Sequence, residues 1–178
     1  MTASPDITAG AGDVAAFRAG GAPVAAGGVI RSPWLGDVEF GPQSELFFPC
    51  GLPGFEDERR MLPVEIPAQA PLVYLQSLTN AGICFLALPV FVVDSGFRLS
   101  LSEDERSMLQ FPEDRDPAIG ADVLCLALLL PSGDSVRVNL NAPVVINLHN
   151  SRGVQCVSTG KPAGCFRLEE NGRWERAC

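Results

Sequence analysis

Apolar residues in this chain gather in short runs broken by glycine and proline, with strand-like spacing in most places and helical spacing in only one. "GDVEF" (36–40) and "SELFFP" (44–49) are predicted as short strands divided by Gly41-Pro42. "RRMLPVEI" (59–66) carries Pro63, which has no N–H for a ladder and so predicts an edge strand or a bulge. "LVYLQSL" (72–78) and "ICFLALP" (83–89) flank Thr79-Asn80-Ala81-Gly82 and predict a β-hairpin, with "VFVV" (90–93) continuing or restarting the strand after Pro89. "ADVLCLALLLP" (121–131) is continuously apolar after Asp122, as a strand buried on both faces would be. "SGDS" (132–135) turns it into "VRVNL" (136–140). "APVVINLH" (142–149) and "GVQCVS" (153–158), joined through Asn150-Ser151-Arg152, form a second hairpin-type pair.

The single helix signal lies in "LSEDERSMLQF" (101–111). Ser102 stands at an N-cap with Glu105 three residues on, the spacing of a capping box. Glu103 and Asp104 fall in the first turn, where the helix dipole favours negative charge. Pro112 is placed to stop it. Many strands, Gly/Pro turns and one helix, with no βαβ alternation, predict a mostly β fold: a small antiparallel β-barrel-like single domain with one short helix. The expected organisation is an Ala/Gly-rich disordered arm over 1–28, a barrel over 29–160, and a polar tail over 161–178. The uncharged stretch 66–93 is interrupted by Pro67, Gln69, Pro71, Gln76, Asn80 and Pro89, so it reads as two core strands rather than a spanning helix.

Composition narrows the function classes. The chain has 178 residues, is 47% hydrophobic and carries a formal net charge of −8, enough apolar matter for one core without staples. The acidity argues against direct contact with nucleic acid or an anionic membrane, which call for a basic surface. It suits a basic protein partner, or simple solubility. The N-terminus has no basic start followed by an apolar run, which predicts a cytoplasmic protein whose six cysteines stay reduced.

Chemistry is sparse. None of the cysteines forms a C-x-x-C pair, and His149 is the only histidine, so no metal site is expected. Cys84 and Cys125 sit in apolar runs and read as core residues; Cys165 and Cys178 fall in the polar tail with no activating neighbour. No G-x-S-x-G, phosphate-binding loop or dinucleotide fingerprint is present. A catalytic reading, a small β-barrel hydrolase, would have to use His149 with Cys50 or carboxylates. The carboxylates in "EDE" (56–58), "EDE" (103–105) and "EDRD" (113–116) instead read as solvated runs beside turns and at a helix start. In "FFPCGLPGFEDER" (47–59) an apolar run halts at Gly51-Leu52-Pro53-Gly54. The glycines and proline serve a turn. The turn then presents Phe55 with Glu56, Asp57 and Glu58, an aromatic anchor beside carboxylates that would steer a basic partner. Glu103 and Asp104 mark a second candidate face.

Four segments in order resemble one known family, the flagellar assembly factor FliW. They are "FPCGLPGFE" (48–56), "PLVYLQSL" (71–78), "ICFLALP" (83–89), and "VNLNAPVVIN" (138–147) followed by "VQCV" (154–157). The resemblance covers roughly residues 36–160. It implies a small β-barrel-like monomer with no enzymatic activity and no cofactor. It also implies two partners: the translational regulator CsrA, a small basic RNA-binding dimer that sequesters flagellin mRNA, and flagellin itself. In that scheme the protein antagonises CsrA and so couples flagellin synthesis to secretion.

Overall fold

The chain is described here by a computed structural model over residues 27–132, 135–157, 165–168 and 174–176. Residues 1–26 of the predicted arm, Gly133-Asp134 of the predicted turn, and 161–164, 169–173 and 177–178 of the predicted tail lie outside the described residues, whereas Gly28 at the end of the predicted arm begins the first strand.

The elements run as follows. A hairpin of β1 (Gly28–Ser32) and β2 (Gly36–Phe40) is followed by β3 (Leu46–Phe47), β4 (Arg60–Glu65), β5 (Val73–Ser77) and β6 (Cys84–Pro89). Two helices come next, a single turn α1 (Val90–Val93) and α2 (Glu103–Leu109). The chain ends in β7 (Val123–Ser132), β8 (Ser135–Asn139), β9 (Val144–Asn147), β10 (Arg152–Gln155), β11 (Cys165–Leu168) and β12 (Trp174–Arg176). Strands β3 to β7 pair antiparallel in sequence order, β7 pairs β9, β9 pairs β10, and β10 pairs β3 in parallel. That ring of seven strands is closed. The closing pair is a single register position, Arg152 opposite Phe47, reinforced by the Phe47 N–H donating to Ser151 O at 2.8 Å and by the Arg152 guanidinium 5.3 Å above the Phe47 ring.

Period-two alternation sorts the side chains into three cores. Met61, Val73, Leu75, Ala87, Leu126, Val144 and Ile146 point into the barrel with Phe48 and Leu52. Leu62 and Val64 point outward and are covered by Leu35 and Val38 of the β1–β2 hairpin. Val123, Cys125, Ala127, Val145 and Val154 point outward on the other side, under α1, α2 and Phe166 of β11. The predicted two-sided burial of the 121–131 run is observed over 123–129, while Ala121, Leu130 and Pro131 are exposed. Even positions of β7 face the barrel interior and odd positions face the helices.

The two predicted hairpins form as expected, with Leu75 opposite Phe85 in the first and Ile146 opposite Gly153 in the second. Pro63 is tolerated because β3 is only two residues long and pairs with Arg60 and Met61, so β4 has β5 alone as its partner at Pro63. The capping box of α2 is present: the Ser102 N–H donates to Glu105 Oε2 at 2.7 Å and the Glu105 N–H to Ser102 Oγ at 3.3 Å. The helix stops before Pro112, at Gln110, whose left-handed backbone (φ 53°) closes the C-terminus.

One expectation is overturned. "VFVV" (90–93) is a helical turn, not a strand, with the Asp94 N–H bonded to Val90 O at 2.9 Å. Four apolar residues carry no periodicity that separates strand from helix. The β6–β7 ladder ends at Pro89, and the turn buries Val90 while leaving Phe91 and Val92 exposed.

Gln76, fully buried, is the polar link between hairpin and barrel. Its Nε2 donates to Ser77 O, Ala81 O and Ile83 O at 3.0–3.1 Å, and its Oε1 accepts from Ser32 Oγ at 2.6 Å. Replacing it with alanine strands several buried polar groups, each worth about 1–3 kcal/mol. Gln76→Ala is expected to speed amide exchange in β1 and β2 well before the barrel strands; uniform exchange across both would show that the hairpin does not depend on this residue.

Candidate functional site

The chain from Phe48 to Arg59 crosses the mouth of the barrel as a compact loop. Leu52 is buried beneath it and pairs with Phe55 through two backbone hydrogen bonds of 2.7 and 3.3 Å. Gly51 has φ +66°, and a Cβ there would stand 2.4 Å from Phe55 O and 2.7 Å from Glu56 Cα. Gly54 has φ +83° and open space around it. The turn is thus held by one glycine the packing demands and one that the backbone alone demands.

The loop presents Phe55, 40% exposed, with its ring edge-on to Phe85 of β6 at 4.9 Å. Glu56 and Asp57 beside it are exposed. Glu56 Oε1 accepts from the Gly54 N–H at 2.8 Å, which holds the carboxyl below its ordinary range. Glu58 departs from this surface. It is buried and accepts from Ser77 Oγ, which in turn accepts from the Thr79 and Asn80 N–H groups at 3.0 and 2.9 Å. Its carboxylate ties the loop to the β5–β6 turn.

Glu103 and Asp104 are exposed at the start of α2. The helix meets the loop at its other end, where Cys50 Sγ lies 3.6 Å from Met108 Sδ. Phe55, Glu56 and Asp57 therefore form one patch, and Glu103 with Asp104 a separate one.

Behind α2 lies a polar cluster that sequence reasoning missed. Asp122 is buried and accepts a bidentate pair from Arg115 at 2.6 and 2.9 Å, the Ala118 N–H at 2.9 Å, and a longer contact from His149 Nε2 at 3.4 Å. The Arg115 guanidinium, then the Ala118 amide, hold its carboxyl far below the usual carboxylate range. The C-terminal carbonyls of α2 are met from the β9–β10 turn: Asn147 Nδ2 and Asn150 Nδ2 both donate to Leu109 O at 3.0 Å, and Arg152 Nε donates to Met108 O at 2.7 Å. Asn147 of the "VNLNAPVVIN" run thus satisfies backbone, as Asn139 Oδ1 also does by accepting from the Asn141 N–H at 2.9 Å. Arg115 and Asp122 are seven positions apart with no helical pattern between them, so no spacing rule links them in the sequence.

The catalytic pairing of Cys50 with His149 is not brought together. The sulfur of Cys50 rests on Met108 and the imidazole of His149 on Asp122. Burial pushes the Cys84 thiol up to about 11 and Cys125 up to about 12, away from thiolate chemistry. Among the described residues no group of three or more His, Cys, Asp or Glu side chains is placed to hold a metal ion. No described helix is long and apolar enough to cross a membrane.

The fold and this surface define a seven-stranded β-barrel domain with a docked helix and an aromatic–acidic loop at its mouth. The model of the family described as "FliW protein" matches residues 29–165. The chain is 28% identical over 127 residues to the flagellar assembly factor FliW of Caldicellulosiruptor bescii, covering 71% of this chain and 80% of that one. It is 30% identical over 128 residues to the flagellar assembly factor FliW of Oceanobacillus iheyensis, covering 72% and 84%. A crystal structure of the flagellar assembly factor FliW superposes with a TM-score of 0.65 at 26% identity, over 75% of this chain and 91% of that one. The chain belongs to the FliW family.

Two outcomes are expected from this geometry. Gly51→Ala combines left-handed strain of about 1–2 kcal/mol with a backbone clash of about 1–3 kcal/mol. Gly54→Ala carries the strain alone, so thermal unfolding should rank wild type above Gly54→Ala and both above Gly51→Ala; equal losses would refute the loop geometry. Asp122 has a depressed folded pKa, so its stabilisation is complete above the unfolded value of about 4 and disappears as pH falls through the folded pKa. Asp122→Asn should therefore be less stable than wild type near neutral pH, with the gap closing in strong acid. A gap that stays constant with pH would show that the carboxylate charge is not what stabilises.

Proposed function

We propose that this protein is a cytoplasmic, non-enzymatic regulator that binds and antagonises CsrA and also binds flagellin, coupling flagellin synthesis to secretion. Membership of the FliW family supports flagellar assembly as its setting. The observation that carries the finer reading is the exposed Phe55 with Glu56 and Asp57 on a chain of net charge −8. An exposed aromatic supplies buried area on association, and carboxylates around it speed encounter with a basic regulator. Glu103 and Asp104 offer a second, separate acidic face at the start of α2. Glu58, turned inward to Ser77, supports the loop without facing a partner. The hydrolase alternative draws less support: Cys50 rests on Met108 away from His149, and the carboxylate beside His149, Asp122, is held by Arg115 and the Ala118 N–H.

Calorimetric titration of the full chain with the CsrA dimer, and separately with flagellin, tests this at low and moderate salt. Binding at about micromolar affinity or tighter is expected, weakening as salt rises for CsrA. Glu56→Gln combined with Asp57→Asn should weaken CsrA binding and flatten its salt dependence, while leaving thermal stability near that of wild type. Absence of heat with both partners at both salts would overturn the reading.

A further inference from the structure

The last residues of β7 pair with β8, β8 pairs with β11, and β11 pairs with β12. The register of these three ladders sets Leu130 opposite Arg137, Arg137 opposite Arg167, and Arg167 opposite Glu175. Residues directly opposite one another lie on the same face of a sheet, so these side chains form one row across the strands. The neighbouring row, Leu129, Val138 and Phe166, points the other way and packs into the core beneath the helices. The first row therefore faces solvent: Leu130 is 50% exposed, and Arg137, Arg167 and Glu175 are exposed.

Like charges directly opposite each other on neighbouring strands weaken a sheet. The chain has ample carboxylates with which to avoid this, 21 Asp and Glu against 13 Lys and Arg. Arg31, Arg60, Arg106 and Arg115 each lie against a carboxylate. Arg137 instead stands between an arginine and a leucine in its row, and Glu175 lies across from Arg167 alone. Folding gains nothing from that placement. Two guanidinium groups carried on Cβ atoms about 5 Å apart present planar forks on one face, and such forks take carboxylates in bidentate fashion.

We propose that the row Leu130–Arg137–Arg167 docks an acidic segment of a partner polypeptide, with carboxylates on the two arginines and an apolar side chain on Leu130. Charge sets the occupant. A net charge of −8 holds off a long polyanion such as nucleic acid or an anionic membrane. A short acidic segment feels mainly what lies within about 10 Å, the screening length at 0.1 M salt, and there the arginines dominate. This surface is opposite in sign to the one formed by Phe55, Glu56 and Asp57, so the two select different partners. The inference does not depend on the reading of that acidic patch.

The test follows the backbone amides of the isotopically labelled full chain by NMR in about 0.1 M salt, with a soluble synthetic peptide of glutamates interleaved with leucines as the probe. Adding it should shift the amides of 136–138 and 166–167, with a Kd of about a millimolar or tighter. The same peptide with lysine in place of glutamate should leave those amides where they are. Arg137→Gln should weaken the glutamate peptide at least about tenfold, a difference of about 1.4 kcal/mol. The same variant should unfold at no lower temperature than wild type, because it removes a like-charge pair. The proposal is overturned if millimolar glutamate peptide shifts none of these amides, or if Arg137→Gln binds it as wild type does. It is overturned equally if Arg137→Gln unfolds well below wild type, which would make the arginine structural. A single-stranded oligonucleotide that shifts the same amides at lower concentration would reassign the row to phosphate. A dimer in sedimentation that Arg137→Gln abolishes would assign it to a second copy, and either result overturns the proposal.

Discussion

Everything in this fold is arranged around a strand that is apolar on both faces. Val123–Ser132 has no polar side on which to meet solvent along most of its length, so structure must be built on either side of it. Leu124, Leu126 and Leu128 fill the barrel, and Val123, Cys125, Ala127 and Leu129 form the floor on which the two helices and Phe166 pack. The same strand changes partners along its length, β9 for its first part and β8 for its last. A strand shared in this way cannot keep one continuous neighbour on every edge.

The polar groups inside the structure repeat one device, a side chain that ties a turn to something distant in sequence. Gln76 holds the β1–β2 hairpin, and Glu58 holds the mouth loop to the β5–β6 turn through Ser77. Glu105 caps its own helix and also accepts the Val157 N–H at 2.8 Å, fixing where the chain leaves the barrel. Asn147, Asn150 and Arg152 hold the other end of that helix. Among the described residues no buried side-chain polar atom is left without a partner. Buried polar groups satisfied so fully specify one arrangement of loops, because any other would leave them unpaired.

The sequence made the strands legible because alternation and turn residues are local signals. β5 and β6, β9 and β10, the two-faced β7 and the capping box at Ser102 were all readable from spacing. What escaped was set by tertiary pairing. The "VFVV" turn became helical where no strand partner remained, and the Arg115–Asp122 pair depends on how the 110–122 segment folds back. For the surface patch, chain order placed Phe55, Glu56 and Asp57 together, yet it could not show that Glu58 reverses inward. Three adjacent carboxyl-bearing residues look alike in a sequence. Only the turn decides which of them meet solvent.

The acidity of the chain bears on how its exposed apolar side chains meet other molecules. Exposed apolar side chains such as Leu86 and Leu130 are places where copies of a protein associate. A net charge of −8 opposes that association at long range, and the same charge favours a partner of opposite sign. Phe55 connects the features: its ring packs against Phe85 of β6, and its chain neighbours Glu56 and Asp57 are the exposed carboxylates beside it. A loop that was first notable as a turn thus joins the electrostatic and the apolar parts of one surface, and Gly51 is the residue whose missing side chain lets that loop close.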